Sequence, residues 1–193
     1  MPQLVLARHS NSDHNPAQPA ADWPLTAEGL RRCQPLAQHL APYKAKRLYS
    51  SPMPKALQTA KSVAQKLGNL PVRECPFLAE HSRQSNAPYG TLADFNARMK
   101  RLFAAQNELI FGDETANQAS NRFQRGINTV LESANQAENI VVFSHGTVLA
   151  LFVSRHNPID CYSFWKRLKM PAVIVLDLPD FRILSVIEDA GIV

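Results

Sequence analysis

Short apolar runs alternate with longer stretches of helical period along this chain, and the runs end on basic or hydroxyl-bearing side chains. Leu4 to Ala7 stops at Arg8-His9, and Ile140 to Phe143 stops at Ser144-His145-Gly146. Each reads as a buried strand that delivers polar groups at its carboxyl end. Between them the pattern changes to the helical period. Thr26 is placed to cap a helix whose buried face carries Leu30, Cys33, Ala37 and Leu40, ending before Pro42. A weaker strand, Arg47 to Tyr49, runs into Ser50-Ser51-Pro52, and a helix with Leu57, Ala60, Val63, Ala64 and Leu67 follows, closed by Gly68. Pro71 to Glu74 reads as a third strand.

Residues 76–90 have no helical period and read as an ordered functional loop. Leu92, Phe95, Met99, Leu102 and Phe103 mark a helix, broken at Gly112-Asp113-Glu114-Thr115, and Phe123, Ile127, Val130, Leu131 and Ala134 mark another. A helix over Gly146 to Val153 follows the second histidine. Val173 to Leu178 and Ile183 to Ile187 flank Pro179-Asp180 as a hairpin. Strands alternating with helices predict an α/β fold, a three-layer α/β/α sandwich whose mostly parallel central sheet gains an antiparallel edge from that hairpin.

Composition narrows the function classes. At 193 residues the chain fits a single domain, 1–193, with 76–112 as a loop-and-helix lid over the site. Cys33, Cys75 and Cys161 are odd in number and have no CxxC spacing, so neither a disulfide framework nor a zinc site is expected. No apolar run reaches the length of a membrane span, and the first one is too short for a signal peptide, which makes the cytoplasm the expected compartment. The net charge of +5 permits nucleic-acid binding, but Lys and Arg are spread out and do not interleave with aromatics. A basic pocket for a small phosphate ester accounts for the charge, and no nucleic-acid or membrane partner is expected. The oligomeric state is left open.

In an open α/β sheet, ligands sit outside the carboxyl ends of the strands. That rule brings Arg8, His9, Ser50, Ser51 and His145 to one rim, with Lys55 one helical turn beyond Ser51. The helix beginning at Gly146 offers backbone N–H groups to an anion. Such a rim suits a phosphoryl group, which a neutral histidine nitrogen can attack while fixed cations offset the charge on its oxygens.

Several motifs in this order resemble the histidine phosphatase superfamily, also called the phosphoglycerate mutase-like family. They are Arg8-His9-Ser10-Asn11-Ser12 with Asn15, Pro24-Leu25-Thr26 with Gly29, Ser50-Ser51-Pro52 followed by Ala56, Thr59 and Ala60, Gly112-Asp113-Glu114 with Arg122, and Phe143-Ser144-His145-Gly146. The resemblance covers nearly the whole chain. It implies a metal-independent phosphatase that uses no cofactor, with His9 as nucleophile and a small phosphorylated substrate. It further implies that Arg8, Lys55, His145 and Gly146 hold the phosphoryl group, that Asn15 is a neutral donor, and that Glu80, after Leu78, is the acid and later the base. Ser12, His81 and Arg83 are further candidate substrate contacts.

Three positions depart from the family pattern: Ser10 stands for glycine, Lys55 for arginine, and Glu80-His81-Ser82-Arg83 lacks the mutase signature. Glu114 reads as a helix-start charge, Asp94 as a spare acid, and Trp23 and Trp165 as packing groups. His14, His39 and His156 have no strand-end context. Three other functions stay open: a non-catalytic phosphate-binding module, a phosphoprotein or phosphohistidine phosphatase, and a phosphoglycerate mutase-type transferase.

Overall fold

Six strands form one sheet among the described residues, which in this computed structural model are 2–15, 18–83, 91–134 and 138–192. They are β1 (Gln3–Arg8), β2 (Leu48–Ser50), β3 (Val72–Glu74), β4 (Ile140–Ser144), β5 (Ala172–Asp177) and β6 (Ile183–Ile187). Their order is β3-β2-β4-β1-β5-β6. β1, β4, β2 and β3 run parallel, whereas β5 is antiparallel to β1 and β6 to β5. The antiparallel edge is the expected hairpin.

β1 lies inside the sheet with both faces covered, which is why Leu4 to Ala7 is apolar without alternation. Val5 and Ala7 pack with Val141 and Phe143 under α1 (Ala27–Leu40) and α2 (Pro54–Lys66), against Cys33, Leu36, Ala60 and Val63. Leu4 and Leu6 face the other way, into a cluster with Phe123, Ile127, Leu149 and Phe152. That second layer is built by α3 (Leu92–Ala104), α4 (Ala116–Ser133), α5 (Gly146–His156) and α6 (Cys161–Arg167). Each fully buried Leu or Phe contributes about 1.5–3 kcal/mol, so the two clusters hold the sheet rigid between them.

The helix ends carry their own stops. Thr26 Oγ1 accepts the Gly29 N–H at 2.9 Å, and Thr91 and Thr115 form reciprocal capping boxes with Asp94 and Gln118. Gly68, at φ +92°, ends α2 in the left-handed region. Two sequence expectations need correction. Leu30 is 49% exposed, and Gly29 and Leu36 take the buried places instead, because the first turn of α1 presses against Asn11. α6, seven residues capped by Asp160, was not expected; it is too short to show a period. The candidate loop over 76–90 contains a 3-10 turn at Pro76–Leu78 and an irregular stretch over 79–83, and residues 84–90 of it lie outside the described residues.

Candidate active site

Strands β1, β4 and β2 end level with one another. Arg8 is paired with Ser144, and Ser50 with Phe143. One residue further, the His9 N–H donates to the Ser144 carbonyl and the Ser51 N–H to the Phe143 carbonyl, both at 2.9 Å. Register alone therefore sets His9, Ser51 and His145 side by side. The two imidazole rings lie 5.2 Å apart, and both side chains are buried.

His9 Nδ1 donates to the Ser10 carbonyl at 2.7 Å. This bond fixes the tautomer and leaves Nε2 with its lone pair. Burial first, and then the unfavourable interaction of a charged ring with His145, Arg8 and Lys55, hold the ring well below the ordinary imidazole range, so it stays neutral. Ser51 Oγ accepts the Met53 N–H at 3.2 Å and shares a hydrogen bond of 2.8 Å with His145 Nε2. His145 Nδ1 is buried and has no hydrogen-bond partner. Its pKa too is well below the usual value, through burial first and then Lys55 and Arg8.

Arg8 bonds the Leu168 carbonyl at the end of α6 through Nη1, while its buried Nε has no partner. Gly146 allows this placement, since a Cβ there would stand 2.9 Å from the Arg8 Cζ. Lys55, 6% exposed, donates to the Ala20 carbonyl at 2.6 Å and lies 5.3 Å from the Trp23 ring. Burial lowers its pKa to about 8 even though Glu80 opposes the shift, and burial lowers Arg8 to about 10.

Glu80 corrects one expectation about α5. The N–H groups of Thr147 and Val148, which appeared open to an incoming anion, donate to the Glu80 carboxylate at 3.1 and 3.2 Å, and the His81 N–H adds a third bond at 2.9 Å. Burial by itself would raise this carboxyl, but Arg83 and these N–H donors outweigh it and hold the pKa below the ordinary range.

The loop bearing Glu80 is clamped from behind. Arg122 donates to the carbonyls of Phe77, Ala79 and Glu80 at 2.9, 2.8 and 3.0 Å and pairs with Glu114 at 2.7 Å. Glu114 also accepts the Ser82 N–H at 3.0 Å. It is therefore no mere helix-start charge, and only its motif neighbours pointed to a partner 8 residues on. His81, 2% exposed, spends both ring nitrogens inside the protein, on the Glu114 carbonyl at 2.8 Å and on Arg83 Nε at 3.2 Å. That removes the free edge a substrate contact would need.

The Arg83 guanidinium also bonds Thr147 Oγ1 at 2.6 Å and lies 5.3 and 5.6 Å from the rings of Phe111 and Phe95. Asn15 is tied through its carbonyl to the Trp23 indole, beside Lys55. Ser12 is buried in a bridge with Leu25. Ser10 donates its N–H to Thr59 Oγ1 at 3.0 Å and sets its hydroxyl near the Cys33 thiol, so this side chain is accommodated under α1.

A family model, the histidine phosphatase superfamily (branch 1), matches residues 4–181. The chain belongs to this superfamily. Solved structures similar to it include a mutant phosphoserine phosphatase from Entamoeba histolytica in complex with phosphoserine (TM-score 0.75, 18% identity, 100% of both chains). The YhfR protein of Bacillus stearothermophilus is also similar (0.75, 17%, 98% of this chain and 97% of that one). So is a mycobacterial glucosyl-3-phosphoglycerate phosphatase (0.71, 18%, 96% of each chain). No curated protein matches it in sequence. At such identities the likeness establishes the histidine phosphatase fold. Among the described residues of this superfamily member, no helix is long and apolar enough to cross a membrane, and no three His, Cys, Asp or Glu side chains are grouped to hold a metal ion.

Proposed function

We propose that this histidine phosphatase superfamily member hydrolyses small phosphomonoesters through a phosphohistidine on His9, without a metal ion. The observation that carries the reading is the set of unpartnered buried groups around His9: Arg8 Nε and His145 Nδ1 both lack a hydrogen-bond partner. An unsatisfied buried donor costs about 1–3 kcal/mol, and a phosphoryl dianion is the guest that satisfies both at once. The phosphatases among its structural relatives support the same chemistry.

In the first half-reaction His9 Nε2 forms a bond to phosphorus as the ester P–O bond breaks, and the leaving oxygen takes a proton from the Glu80 carboxyl. Arg8, Lys55 and the Nδ1–H of His145 stabilise charge on the phosphoryl oxygens. In the second, the Glu80 carboxylate takes a proton from water as that water bonds phosphorus and the P–N bond breaks. Inorganic phosphate leaves, and His9 and Glu80 return to their starting states. Asn15, tied to Trp23 beside Lys55, adds a neutral contact at the same end. The whole chain acts as one domain, with the described residues of segment 76–112 on the leaving-group side.

The test is hydrolysis of an aryl phosphate with chelator present, together with a search for an acid-labile phosphoprotein after rapid quench. Turnover and label are both expected, and both vanish in His9→Ala. A folded wild-type protein that binds inorganic phosphate yet gives neither across pH would replace this reading with that of a binding module.

A further inference from the structure

Lys55 stands where the family pattern has arginine, and the exchange leaves this cation without a direction of its own. An ammonium on a four-carbon stem turns freely, whereas a guanidinium fork fixes its approach to phosphate. Charge does not supply the direction. Glu80 and Asp22 attract Lys55 while Arg8 and Arg83 repel it, and such forces act on a point charge without regard to where its hydrogens aim.

The segment before α1 supplies what charge does not. Ala20–Asp22 forms a 3-10 turn whose Ala20 carbonyl accepts one Nζ hydrogen of Lys55 at 2.6 Å, and the Trp23 ring lies 5.3 Å from the same nitrogen. The indole N–H donates to the Asn15 and Gln18 carbonyls at 2.9 and 3.2 Å, which closes the turn on itself. Two residues on, the Leu25 N–H donates to Gln58 Oε1 at 2.8 Å, so the segment is tied to α2, the helix that carries Lys55. Trp23 reads from the sequence as a packing group, yet among the described residues it joins neither apolar cluster and is half-buried. Its ring meets Lys55 and His14 instead.

We infer that Trp23 is a positioning residue that orders Lys55 before the phosphoryl group arrives, taking over the directing part of an arginine fork. This inference rests on the reading of the pocket as a phosphoryl site. One of the three Nζ hydrogens is engaged by Ala20, and two remain for phosphoryl oxygens. Ring and carbonyl together restrict the stem, so that binding does not have to order it. Trp23 thus acts through Lys55 rather than on the phosphoryl group.

The test is the coupling between the two side chains. Calorimetric titration with inorganic phosphate compares the wild type, Trp23→Leu, Trp23→Phe, Lys55→Met and the variant carrying both Trp23→Leu and Lys55→Met, with folding checked by thermal melts. Trp23→Leu is expected to weaken phosphate binding by about 3- to 10-fold, the cost of ordering one long side chain. Trp23→Phe, which keeps a ring beside the ammonium but loses the indole N–H, falls between it and the wild type. In the Lys55→Met background the Trp23→Leu loss shrinks to less than about 1.5-fold, because the group it orders is gone. In a Lys55→Arg background the loss also shrinks, since a fork directs itself. Where Trp23→Leu does not fold, the same cycle with Trp23→Phe decides. An equal loss in the wild-type and Lys55→Met backgrounds, or no loss in the wild type, overturns the inference, while phosphate binding leaves the pocket reading standing. A wild type that neither binds phosphate nor turns over aryl phosphate overturns both.

Discussion

Arg122→Met separates positioning of Glu80 from the chemistry of the phosphoryl pocket. The guanidinium holds three carbonyls of the 77–80 turn and both oxygens of Glu114, and the two side chains are only 19% and 15% exposed. Methionine keeps much of the volume but leaves Glu114 charged and half-buried without its cation. Removing one partner of a buried pair costs about 3–5 kcal/mol, and the residual exposure here puts the expectation at about 3 kcal/mol. For a chain of this length that is about 6–12 °C in Tm. Adding Glu114→Gln, which removes the stranded charge but keeps an acceptor for the Ser82 N–H, recovers part of the loss, so the double variant is more stable than the two single effects summed. Catalysis responds unevenly. On the phosphatase reading, an aryl leaving group departs with little help from an acid, whereas water attack on phosphohistidine needs a placed base, so dephosphorylation slows more than phosphorylation. The expectation is a drop in aryl phosphate kcat of about 10- to 100-fold, less than the roughly 10²–10⁴-fold that a general base contributes because Glu80 is displaced and not removed, together with accumulation of phosphoenzyme. Thermal melts and rapid-quench labelling measure both. Unchanged Tm, or a lower kcat with no rise in labelled protein at saturating substrate, would refute the argument that this pair acts by holding Glu80.

The remaining predictions concern the proposed phosphoryl pocket and the Glu80 loop. Lys55 has a folded-state pKa of about 8 against 10.5 for the unperturbed group. Between these values the unfolded chain binds more protons, so this group's contribution to stability rises with pH across that window. Phosphate affinity moves the opposite way, falling by up to about tenfold per pH unit above pH 8 as free Lys55 loses its charge; calorimetric titration of inorganic phosphate measures it, and Lys55→Arg abolishes the fall in that window. Gly146→Ala sets a Cβ 2.9 Å from Arg8 Cζ and 3.0 Å from its Nε. The displaced guanidinium weakens phosphate binding by about 10- to 100-fold, the worth of a charged hydrogen bond, and a competition assay against an aryl phosphate reads it. Gly112→Ala meets the Ser82 carbonyl at 2.2 Å from a backbone at φ +91°, so it costs about 1–3 kcal/mol in chemical denaturation and lowers turnover through the Glu80 loop.

The parts of this molecule legible in the sequence are those set by local pattern. Leu4 to Ala7 and Ile140 to Phe143 had to be strands buried on both faces, and parallel register then fixed His9 and His145 as neighbours although 136 residues separate them. Thr26 and Gly68 signalled helix ends because the chemistry of a cap is local. What stayed hidden depended on distant partners. Leu30 fits the helical period of α1 yet faces water, since the close approach of Gly29 to Asn11 sets how the helix is turned about its axis. Nothing near Glu80 announced that its carboxylate would sit on the first turn of α5, nor that Glu114 would brace the same loop through Arg122. Both arise when the chain returns to the same rim.

Those two hidden contacts bear on how an acid with a lowered pKa performs acid catalysis. In the unliganded protein Glu80 is the carboxylate set among Arg8, Lys55 and Arg83, with Asp22 also acting on Lys55, and it accepts the helix N–H groups that an incoming anion would otherwise seek. On the phosphatase reading, the arriving phosphoryl dianion adds two negative charges beside that carboxylate and engages Arg8 and Lys55 itself. Opposite charges that favoured ionised Glu80 are thereby offset and like charges added, so its pKa rises as substrate binds. The proton needed by the leaving oxygen is then acquired with the substrate rather than held in advance. It follows that the descending limb of kcat, along which Glu80 in the complex loses the proton the leaving oxygen needs, lies at higher pH than the descending limb of kcat/KM, which reports free enzyme. Paired pH profiles on an alkyl phosphate, whose departure demands the proton, measure the separation. Coincident descending limbs would mean that Glu80 is protonated without help from the substrate, and that the bonds to Thr147 and Val148 are not what substrate binding has to overcome.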